Sequence, residues 1–360
     1  MAFGIYIHIP YCLSKCRYCD FYSAGHSGGV PNEYVQAVVH QLETEQLPRP
    51  DTVYFGGGTP SLLSASQLEC MIKAIAPLPH AEVTVEANPE TLSPALLEGF
   101  LQAGANRLSL GVQTAFDDSL QRLGRPHTAA QSREALRMAR QAGFENISGD
   151  IMMALPAYSA AEFDATLDLL EEGGACHISA YLLKIEPGTA FGLHPPAALP
   201  SEDETADIYL YAVEQLERHG FAQYEISNFA RPGRKSLHNL LYWNCEDYRG
   251  IGPAAHSCMH GVRTAWPACT ADFIGGHLQE IVTGKCAGED FLMLQLRLNE
   301  GLDLQTLEQK YGLVLCAQKL QFIEQCVQHE LAIWKSGRLC LTPRGMLVQN
   351  AILCQLLDFE

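Results

Sequence analysis

Positive charge is scarce in this sequence. The chain has 24 lysines and arginines against 41 aspartates and glutamates, which gives a formal net charge of −17. A protein that binds nucleic acid through its phosphates needs clustered positive charge. The composition therefore argues against a nucleic-acid partner. Because 47% of the residues are apolar, it also argues against a disordered chain.

Long apolar runs are also missing. A membrane-spanning helix needs about 20 consecutive apolar residues, and the runs in this sequence are interrupted well before that length. Residues 1–10 have no basic segment or cleavage site of a secretory leader. We therefore expect no membrane span and a cytoplasmic protein. The 13 cysteines are spread over 360 residues, so we expect most of them to be reduced core residues rather than a disulfide framework.

A repeated βα unit occupies the sequence from Phe3 to about Tyr181. Short apolar runs alternate with stretches of helical periodicity. The predicted strands are Phe3–Ile9, Thr52–Phe55, Glu82–Glu86, Arg107–Leu110, Asn146–Met152 and His177–Leu182, and the predicted helices are Asn32–Gln46, Ala65–Ile75, Pro94–Ala103, Ala129–Ala142 and Ala161–Glu172. Six such units predict an α/β fold with a parallel, barrel-like sheet, whose chemistry lies at the carboxyl ends of the strands.

The pattern changes after Tyr181. A proline-rich stretch leads to a predicted long helix, Glu202–His219, and then to a region rich in glycine, histidine and aromatic residues. From about Ala287 we expect three or four helices and a hairpin, Ala332–Trp334 with Leu339–Leu341, in a small winged-helix-like α+β module. The predicted organisation is a core over residues 1–185, an extension over 186–286 and this module over 287–360.

Three cysteines with C-x3-C-x2-C spacing, Cys12, Cys16 and Cys19, directly follow the first predicted strand. Clustered thiolates select soft metals, either zinc or an iron–sulfur cluster. A structural zinc ion would need a fourth ligand, for which His26 is the close candidate. Three ligands on a four-iron cluster would instead leave one iron open to a ligand that is not part of the protein.

This motif at this position resembles the radical S-adenosylmethionine (SAM) superfamily, whose members bind a [4Fe–4S] cluster and let SAM chelate the fourth iron. The resemblance implies a partial (β/α)6 barrel, a cluster on the three cysteines and SAM beside it. Polar residues and glycines near the strand ends match, in order, the SAM contacts of the coproporphyrinogen oxidase-like branch. They are Tyr6, Tyr18, Gly57, Gly58, Thr59, Glu86, Gln113, Arg125 and Asp150.

The resemblance also implies roles for these residues. Glu86 and Asp150 would bind ribose hydroxyls, Gln113 would supply an amide, and Arg125 would face carboxylate groups. Taken alone, each polar residue is equally well explained as a cap or turn residue. The three consecutive glycines before Thr59 fit a bare turn less well, because one glycine is enough for a tight turn, whereas several let a ligand approach the backbone.

Two groups within that branch have different functions. Oxygen-independent coproporphyrinogen III oxidases typically carry a further cysteine two positions after the third and a longer segment before the cluster strand. Here Phe21 stands at that position, and eleven residues precede Cys12. Both departures favour the haem-chaperone group. This resemblance implies a protein that passes haem to an acceptor, such as a respiratory enzyme. The alternative is a radical SAM oxidoreductase of the oxidase type. The sequence assigns no catalytic residue for either function.

A second motif supports the chaperone group. His238-Asn239-Leu240-Leu241-Tyr242-Trp243 matches its H-N-x-x-Y-W pattern, which implies haem binding by His238, Asn239, Tyr242 and Trp243. Imidazole can ligate haem iron, and aromatic rings can lie against a porphyrin. His256, His260, Cys245 and Cys258 are alternative iron ligands. Because haem propionates are anionic, we expect nearby cations to offset the negative net charge; the candidates are Arg231, Arg234 and Lys235.

Overall fold

The computed structural model describes residues 2–25 and 28–357. The strands are β1 Phe3–Ile9, β2 Tyr11–Cys12, β3 Ala24–Gly25, β4 Thr52–Gly57, β5 Glu82–Ala87, β6 Arg107–Gln113, β7 Asn146–Met153, β8 His177–Leu182, β9 Ala222–Glu225, β10 Asn228–Ala230, β11 Asp247–Ile251, β12 His256–Met259, β13 Val262–Ala265, β14 Ile281–Lys285, β15 Ala332–Lys335 and β16 Arg338–Leu341. The helices are α1 Asn32–Glu45, α2 Ala65–Ile75, α3 Pro94–Ala103, α4 Asp117–Leu123, α5 Ala129–Ala142, α6 Ala160–Glu172, α7 Ala190–Leu193, α8 Glu202–Arg218, α9 Leu237–Trp243, α10 Thr270–Ile274, α11 Gly288–Gln295, α12 Leu304–Tyr311, α13 Ala317–Gln328, α14 Pro343–Leu347 and α15 Gln349–Leu356.

One open, twelve-stranded sheet organises the molecule, in the order β14-β13-β12-β11-β1-β4-β5-β6-β7-β8-β10-β9. The six strands β1, β4, β5, β6, β7 and β8 are parallel neighbours, and helices connect them. This confirms the predicted α/β fold with six parallel strands. Their carboxyl ends lie at the same edge of the sheet, so the loops after them meet.

Apolar and polar side chains alternate along the strands, so one face of the sheet is apolar and the other, inside the partial barrel, is polar. In β1, Ile5, Ile7 and Ile9 are fully buried in the core that the surrounding helices complete. Tyr6 and His8 point to the opposite face, where the Tyr6 ring lies 6.2 Å from that of Tyr54. Successive strand residues face opposite sides, so every second position is available to line the inside of the partial barrel with polar groups.

Most of the predicted helices between the parallel strands are present in the structure, and some have the predicted bounds. The structure reproduces the predicted bounds of α2, α3 and α5, and the last two end at Gly104 and Gly143 with φ near +110°, where glycine is favoured. The seven-residue helix α4 was not predicted, because two turns are too short to show helical periodicity. Strand β6 runs three residues past the predicted end at Leu110, since Gly111 and Gln113 interrupt its apolar pattern.

The sheet continues beyond the six parallel strands on both sides. β10 and β9 add antiparallel to β8, whereas β11 adds parallel to β1 and continues into the antiparallel strands β12, β13 and β14. Residues 288–357 form five helices, α11 to α15, rather than three or four, around the hairpin β15–β16 and a separate apolar core. None of the helices in residues 2–25 and 28–357 has the length and apolar character needed to span a membrane.

Candidate functional site

The loop that carries the three cysteines begins where β1 ends and is held against its neighbours. The Arg17 N–H donates to the Leu123 carbonyl at the end of α4, and the Phe191 N–H donates to the Arg17 carbonyl. The Thr59 hydroxyl donates to the Cys12 sulfur, 3.5 Å away. Cys12, Cys16 and Cys19 are half-buried and line a common cavity. The loop is therefore anchored on both sides while its thiols stay open to a ligand.

Three thiols that line one cavity supply soft ligands for a metal ion or for an iron–sulfur cluster. Across the described part of the chain, no three His, Cys, Asp or Glu side chains are placed to hold one metal ion. Thiolates on a four-iron cluster bind different irons and need not converge on one point. Burial raises the pKa of the Cys16 thiol and the nearby Arg125 opposes this effect. His26, the candidate fourth zinc ligand, lies outside the described residues.

The glycine loop after β4 lies directly against the start of the cysteine loop. The Gly58 N–H donates to the Ile9 carbonyl over 2.8 Å, and the Thr59 N–H donates to the Tyr11 carbonyl over 2.7 Å. A Cβ on Gly58 would lie only 2.6 Å from the Tyr11 carbonyl oxygen, so no other residue fits there without movement. Gly57 has a φ of +107°, which also favours glycine. These glycines form a backbone-lined wall of the cavity.

Arg125 joins three loops into one side of the cavity. Its Nη2 and Nε donate to the Tyr18 hydroxyl over 2.6 and 3.1 Å, and its Nη1 donates to the Asn88 amide oxygen over 2.9 Å. The Asn88 amide nitrogen donates to the Thr59 hydroxyl, 3.2 Å away. A guanidinium fixed in this way is held in one orientation and presents a constant positive charge.

Two buried carboxyl groups lie deeper in the cavity. Burial raises the pKa of Glu86 to about 7, although it accepts hydrogen bonds from the Tyr54 hydroxyl (2.8 Å) and the Gly57 N–H (3.2 Å). Burial likewise raises the pKa of Asp150 to about 6, against the opposing effects of Arg107 and Arg125. Near neutral pH such carboxyl groups gain and lose a proton readily. They can therefore donate a hydrogen bond to a ligand hydroxyl when protonated and accept one from it when ionised.

A cavity of about 450 Å³ brings most of the predicted cluster and SAM residues together. Those that line it are Cys12, Cys16, Tyr18, Cys19, Gly57, Gly58, Thr59, Glu86, Gln113, Arg125 and Asp150. Tyr6 is not among the lining residues; it lies in the barrel wall, with its hydroxyl 3.1 Å from His8 Nδ1. The cavity opens at the carboxyl ends of the parallel strands, where such a sheet places its site.

The predicted haem motif lies at the opposite end of the barrel. It forms α9, which packs against β1, β4 and β11. His238 is fully buried near the amino ends of β1 and β4, with its Nδ1 2.7 Å from the Thr52 hydroxyl and its Nε2 2.8 Å from the Tyr242 hydroxyl. Burial lowers the pKa of His238 to about 3, so the ring is neutral. Both ring nitrogens are therefore occupied by hydrogen bonds in this conformation.

The other motif residues are more open than His238. Asn239, Tyr242 and Trp243 are half-buried, and the Arg297 guanidinium lies over the Trp243 ring, 4.4 Å from its centroid. Among the alternative iron ligands, His256 and His260 are exposed, and His260 pairs with Asp247. Cys258 is buried and Cys245 is half-buried.

The three cations expected near a haem site all have acidic neighbours. Arg231 pairs with Glu171 at 2.9 Å, Lys235 pairs with Glu300 at 2.9 Å, and Arg234 lies 4.0 Å from Glu145. Each of these ion pairs is at least partly exposed, so solvent screening makes it weak. A ligand carboxylate would have to compete with these carboxylates for the cations.

Sequence reasoning missed two polar residues that organise the cavity. Asn88 bridges Arg125 and Thr59; it stands two positions after Glu86 at the same strand end, which was the available signal. Arg107 is fully buried beneath the cavity at the start of β6, where its charge acts on Glu82, Tyr54 and Asp150. No local pattern marks Arg107, because a single arginine at a strand start is usually exposed.

Comparisons with known proteins agree with this geometry. The radical SAM superfamily model matches residues 6–170, and the HemN C-terminal domain model matches residues 282–348. Among solved structures, coproporphyrinogen III oxidase (HemN) from Escherichia coli, a radical SAM enzyme, superimposes with a TM-score of 0.82 over 99% of this chain and 90% of that chain. At 20% identity, this similarity shows the fold alone.

Curated relatives narrow the family further. The heme chaperone HemW of Lactococcus lactis is 32% identical over 96% of this chain and 95% of its own length. The heme chaperone HemW of Mycobacterium tuberculosis is 34% identical over 99% and 95%, and that of Escherichia coli is 40% identical over 70% and 69%. Identity of this level over nearly the whole of both chains places the sequence within one family. The chain belongs to the radical SAM superfamily and, within it, to the HemW family.

Proposed function

We propose that this chain is a haem chaperone of the cytoplasm. It binds haem, holds a [4Fe–4S] cluster with SAM in the cavity, and transfers haem to an acceptor protein such as a respiratory enzyme. The observation that carries the proposal is the near end-to-end match to relatives named heme chaperone HemW. The assembled cysteine cavity supports it, because a radical SAM cofactor needs such a site.

The residues present fit the cluster and SAM. Cys12, Cys16 and Cys19 would ligate three irons, and the bound cluster would supply an electron-transfer centre with one iron open to SAM. The backbone at Gly57 and Gly58 would let a ligand approach closely, and Arg125 would face its carboxylate. Glu86 and Asp150 would hold a proton or release it while they bind ribose hydroxyls.

For haem, we propose the region of α9 as the binding site. Ligation by His238 requires one ring nitrogen to lose its present partner, either the Tyr242 hydroxyl at Nε2 or the Thr52 hydroxyl at Nδ1. Nε2 is the more favourable choice, because Tyr242 is half-buried and Thr52 is fully enclosed. Haem binding by this motif therefore requires a rearrangement of α9, whereas ligation by the exposed His256 or His260 does not.

A second candidate function is an oxidoreductase of the oxygen-independent coproporphyrinogen III oxidase type. The observation that favours it is the complete cavity, in which Glu86, Gln113, Arg125 and Asp150 all line the space beside the cysteines. A protein that only stored haem would not require these four residues together.

An anaerobic haem titration of the cluster-reconstituted protein tests the proposal, with the Soret absorbance as readout. We expect saturation near one haem per chain and no decarboxylation of coproporphyrinogen. Absence of saturable haem binding would overturn the chaperone proposal. Release of 5′-deoxyadenosine together with decarboxylation of coproporphyrinogen would establish the second candidate instead.

A further inference from the structure

Helix α9, which carries the predicted haem motif, is held at both of its ends. At its start, the N–H groups of Leu237 and His238 donate to the Glu82 carboxylate over 3.0 and 3.1 Å. At its end, the contacts come from residues 295–297 of the C-terminal module, which comprises the helices and the hairpin of residues 288–357. A seven-residue helix is too short to be stable alone, so α9 depends on contacts of this kind.

Gln295, at the end of α11, fixes the last turn of α9. Its amide nitrogen donates to the Trp243 carbonyl over 3.0 Å and to the Asn244 amide oxygen over 2.9 Å. Its amide oxygen accepts from the Arg338 guanidinium of β16 over 2.9 Å, which sets the orientation of the amide. Because Gln295 is buried, water does not readily replace these hydrogen bonds.

Arg297 holds the Trp243 side chain and connects it to the edge strand β9. The guanidinium lies 4.4 Å from the centroid of the Trp243 ring, and its Nη2 donates to the Glu225 carboxylate over 3.1 Å. Glu225 is fully buried and also accepts from the Ser227 N–H over 2.9 Å. A buried carboxylate without a cation is costly, so this ion pair fixes Arg297. The Trp243 ring is therefore held beneath a guanidinium that cannot easily move.

The C-terminal module has an apolar core of its own, separate from the core of the large sheet. Parts of a chain with separate cores move relative to each other unless a large apolar interface joins them. The contacts of Gln295 and Arg297 with α9 are polar, and they leave two donors unpaired. Among the described residues, the buried Trp243 Nε1 and Arg297 Nε have no hydrogen-bond acceptor. Unpaired buried donors make the present arrangement less stable than a fully paired one, which favours its opening.

We propose that these contacts of Gln295 and Arg297 with the end of α9, which we call the α9 clasp, control the access of haem to His238. Tyr242, whose hydroxyl occupies His238 Nε2, directly precedes Trp243. While the clasp is closed, Tyr242 stays on the imidazole and haem iron cannot bind there. Movement of the C-terminal module away from α9 frees this turn, so that Tyr242 leaves Nε2 and the imidazole ligates the iron. The inference rests on the proposed function, because it assumes haem binding by this motif.

Hydrogen exchange followed by mass spectrometry tests the clasp in the full-length, cluster-reconstituted protein without haem. Gln295→Met keeps a side chain of similar size and removes both hydrogen bonds to α9. We expect the amides of residues 240–246 to exchange about tenfold faster than in the wild type. Gln349→Met is the matched control, because Gln349 is also buried and donates to the Met293 carbonyl within the same module over 3.4 Å. It should leave exchange in α9 unchanged.

Stopped-flow haem binding, followed at the Soret band, tests the consequence for the ligand. Gln295→Met should bind haem about tenfold faster than the wild type, and Gln349→Met should bind at the wild-type rate. Adding His238→Ala to Gln295→Met should remove the gain in rate. Arg297→Lys keeps a positive charge beside Glu225 but loses the planar contact with Trp243, so it should act in the same direction where Gln295→Met does not fold.

Unchanged exchange in α9 of Gln295→Met would overturn the proposal, and so would faster exchange without faster haem binding. Equal acceleration of exchange in Gln349→Met would also overturn it, because the effect would then be a general loss of stability. Absence of saturable haem binding in the wild type would refute the proposed function and the haem step with it. The exchange measurement involves no haem, so it shows separately whether the module holds α9.

Discussion

The cysteine loop and helix α9 lie at opposite ends of the same parallel strands, and each carries a motif predicted to bind a metal-containing cofactor. In the loop, the three thiols line a cavity and remain half-buried. In α9, the imidazole of His238 is fully buried and both of its ring nitrogens accept or donate hydrogen bonds. The cysteine loop presents its metal-binding sulfur atoms to a ligand, whereas α9 keeps its metal-binding imidazole within the protein.

The difference follows from the two ends of a parallel sheet. Loops after the strands are free to diverge and leave a cavity, whereas the amino ends of β1 and β4 are covered by the packing of α9. A buried polar side chain must find hydrogen-bond partners, and His238 finds them in Thr52 and Tyr242. A motif therefore specifies which donors are present, but packing determines whether a cofactor can reach them.

The largest effect is expected from removal of a cluster thiol. Cys16→Ser should abolish the iron–sulfur absorption of the reconstituted protein, because two remaining thiolates cannot hold a four-iron cluster. Iron and sulfide analysis together with the visible spectrum measure this loss. Cys70→Ser, at an exposed thiol on α2, is the matched control and should retain the cluster. A full cluster content in Cys16→Ser would contradict the assignment of the loop.

A methyl group in the glycine wall should have the next largest effect. In Gly58→Ala the new Cβ would lie 2.6 and 2.7 Å from two backbone oxygens, so the loop must shift, at a cost of about 1–3 kcal/mol. We expect SAM affinity, measured by equilibrium dialysis, to fall about tenfold or more. Gly188→Ala has open space around its Cβ and should bind SAM normally. Equal affinities in the two variants would exclude Gly58 from the SAM site.

Glu86 should make the stability of the protein depend on pH. Because burial raises its folded pKa to about 7, from an ordinary value of 4.5, the native state binds more protons than the unfolded state between these values. Stability should therefore fall as the pH rises from about 4.5 to 7, by about 3 kcal/mol. Glu86→Gln should remove that part of the decrease in thermal unfolding profiles, whereas Glu134→Gln on the exposed face of α5 should not. If the stability of wild type and that of Glu86→Gln changed with pH in the same way, the raised pKa of Glu86 would be refuted.

The smallest effect concerns the buried histidine. Tyr242→Phe removes the hydroxyl that occupies His238 Nε2, a hydrogen bond worth about 1 kcal/mol. If His238 ligates haem, the variant should bind haem about fivefold more tightly in the Soret titration. His256→Ala should then bind haem like the wild type. Unchanged affinity in Tyr242→Phe, combined with weaker binding in His256→Ala, would move the ligand from the buried motif to the exposed histidine.

Much of the fold was predictable, because its signals are local. The alternation in Phe3–Ile9 and the glycines at 104 and 143 depend on a few neighbouring residues, and the structure reproduces these elements. Helix α4 was missed, and three or four helices were predicted where residues 288–357 form five; most of these helices are short, so periodicity marks them weakly. The cluster and SAM residues were suggested by a resemblance in order and spacing. The links from Arg125 to Tyr18 and Asn88 depend on which loops become neighbours.

By itself, the sequence determined the order of strands and helices and the presence of three closely spaced thiols after β1, because propensity, alternation and spacing act over short distances. Only the tertiary structure decided that eleven of the predicted residues share one cavity and that His238 is enclosed. These outcomes depend on the order of strands in the sheet and on the packing of α9 against it. Both bring together residues that are far apart in the chain, which no local pattern encodes.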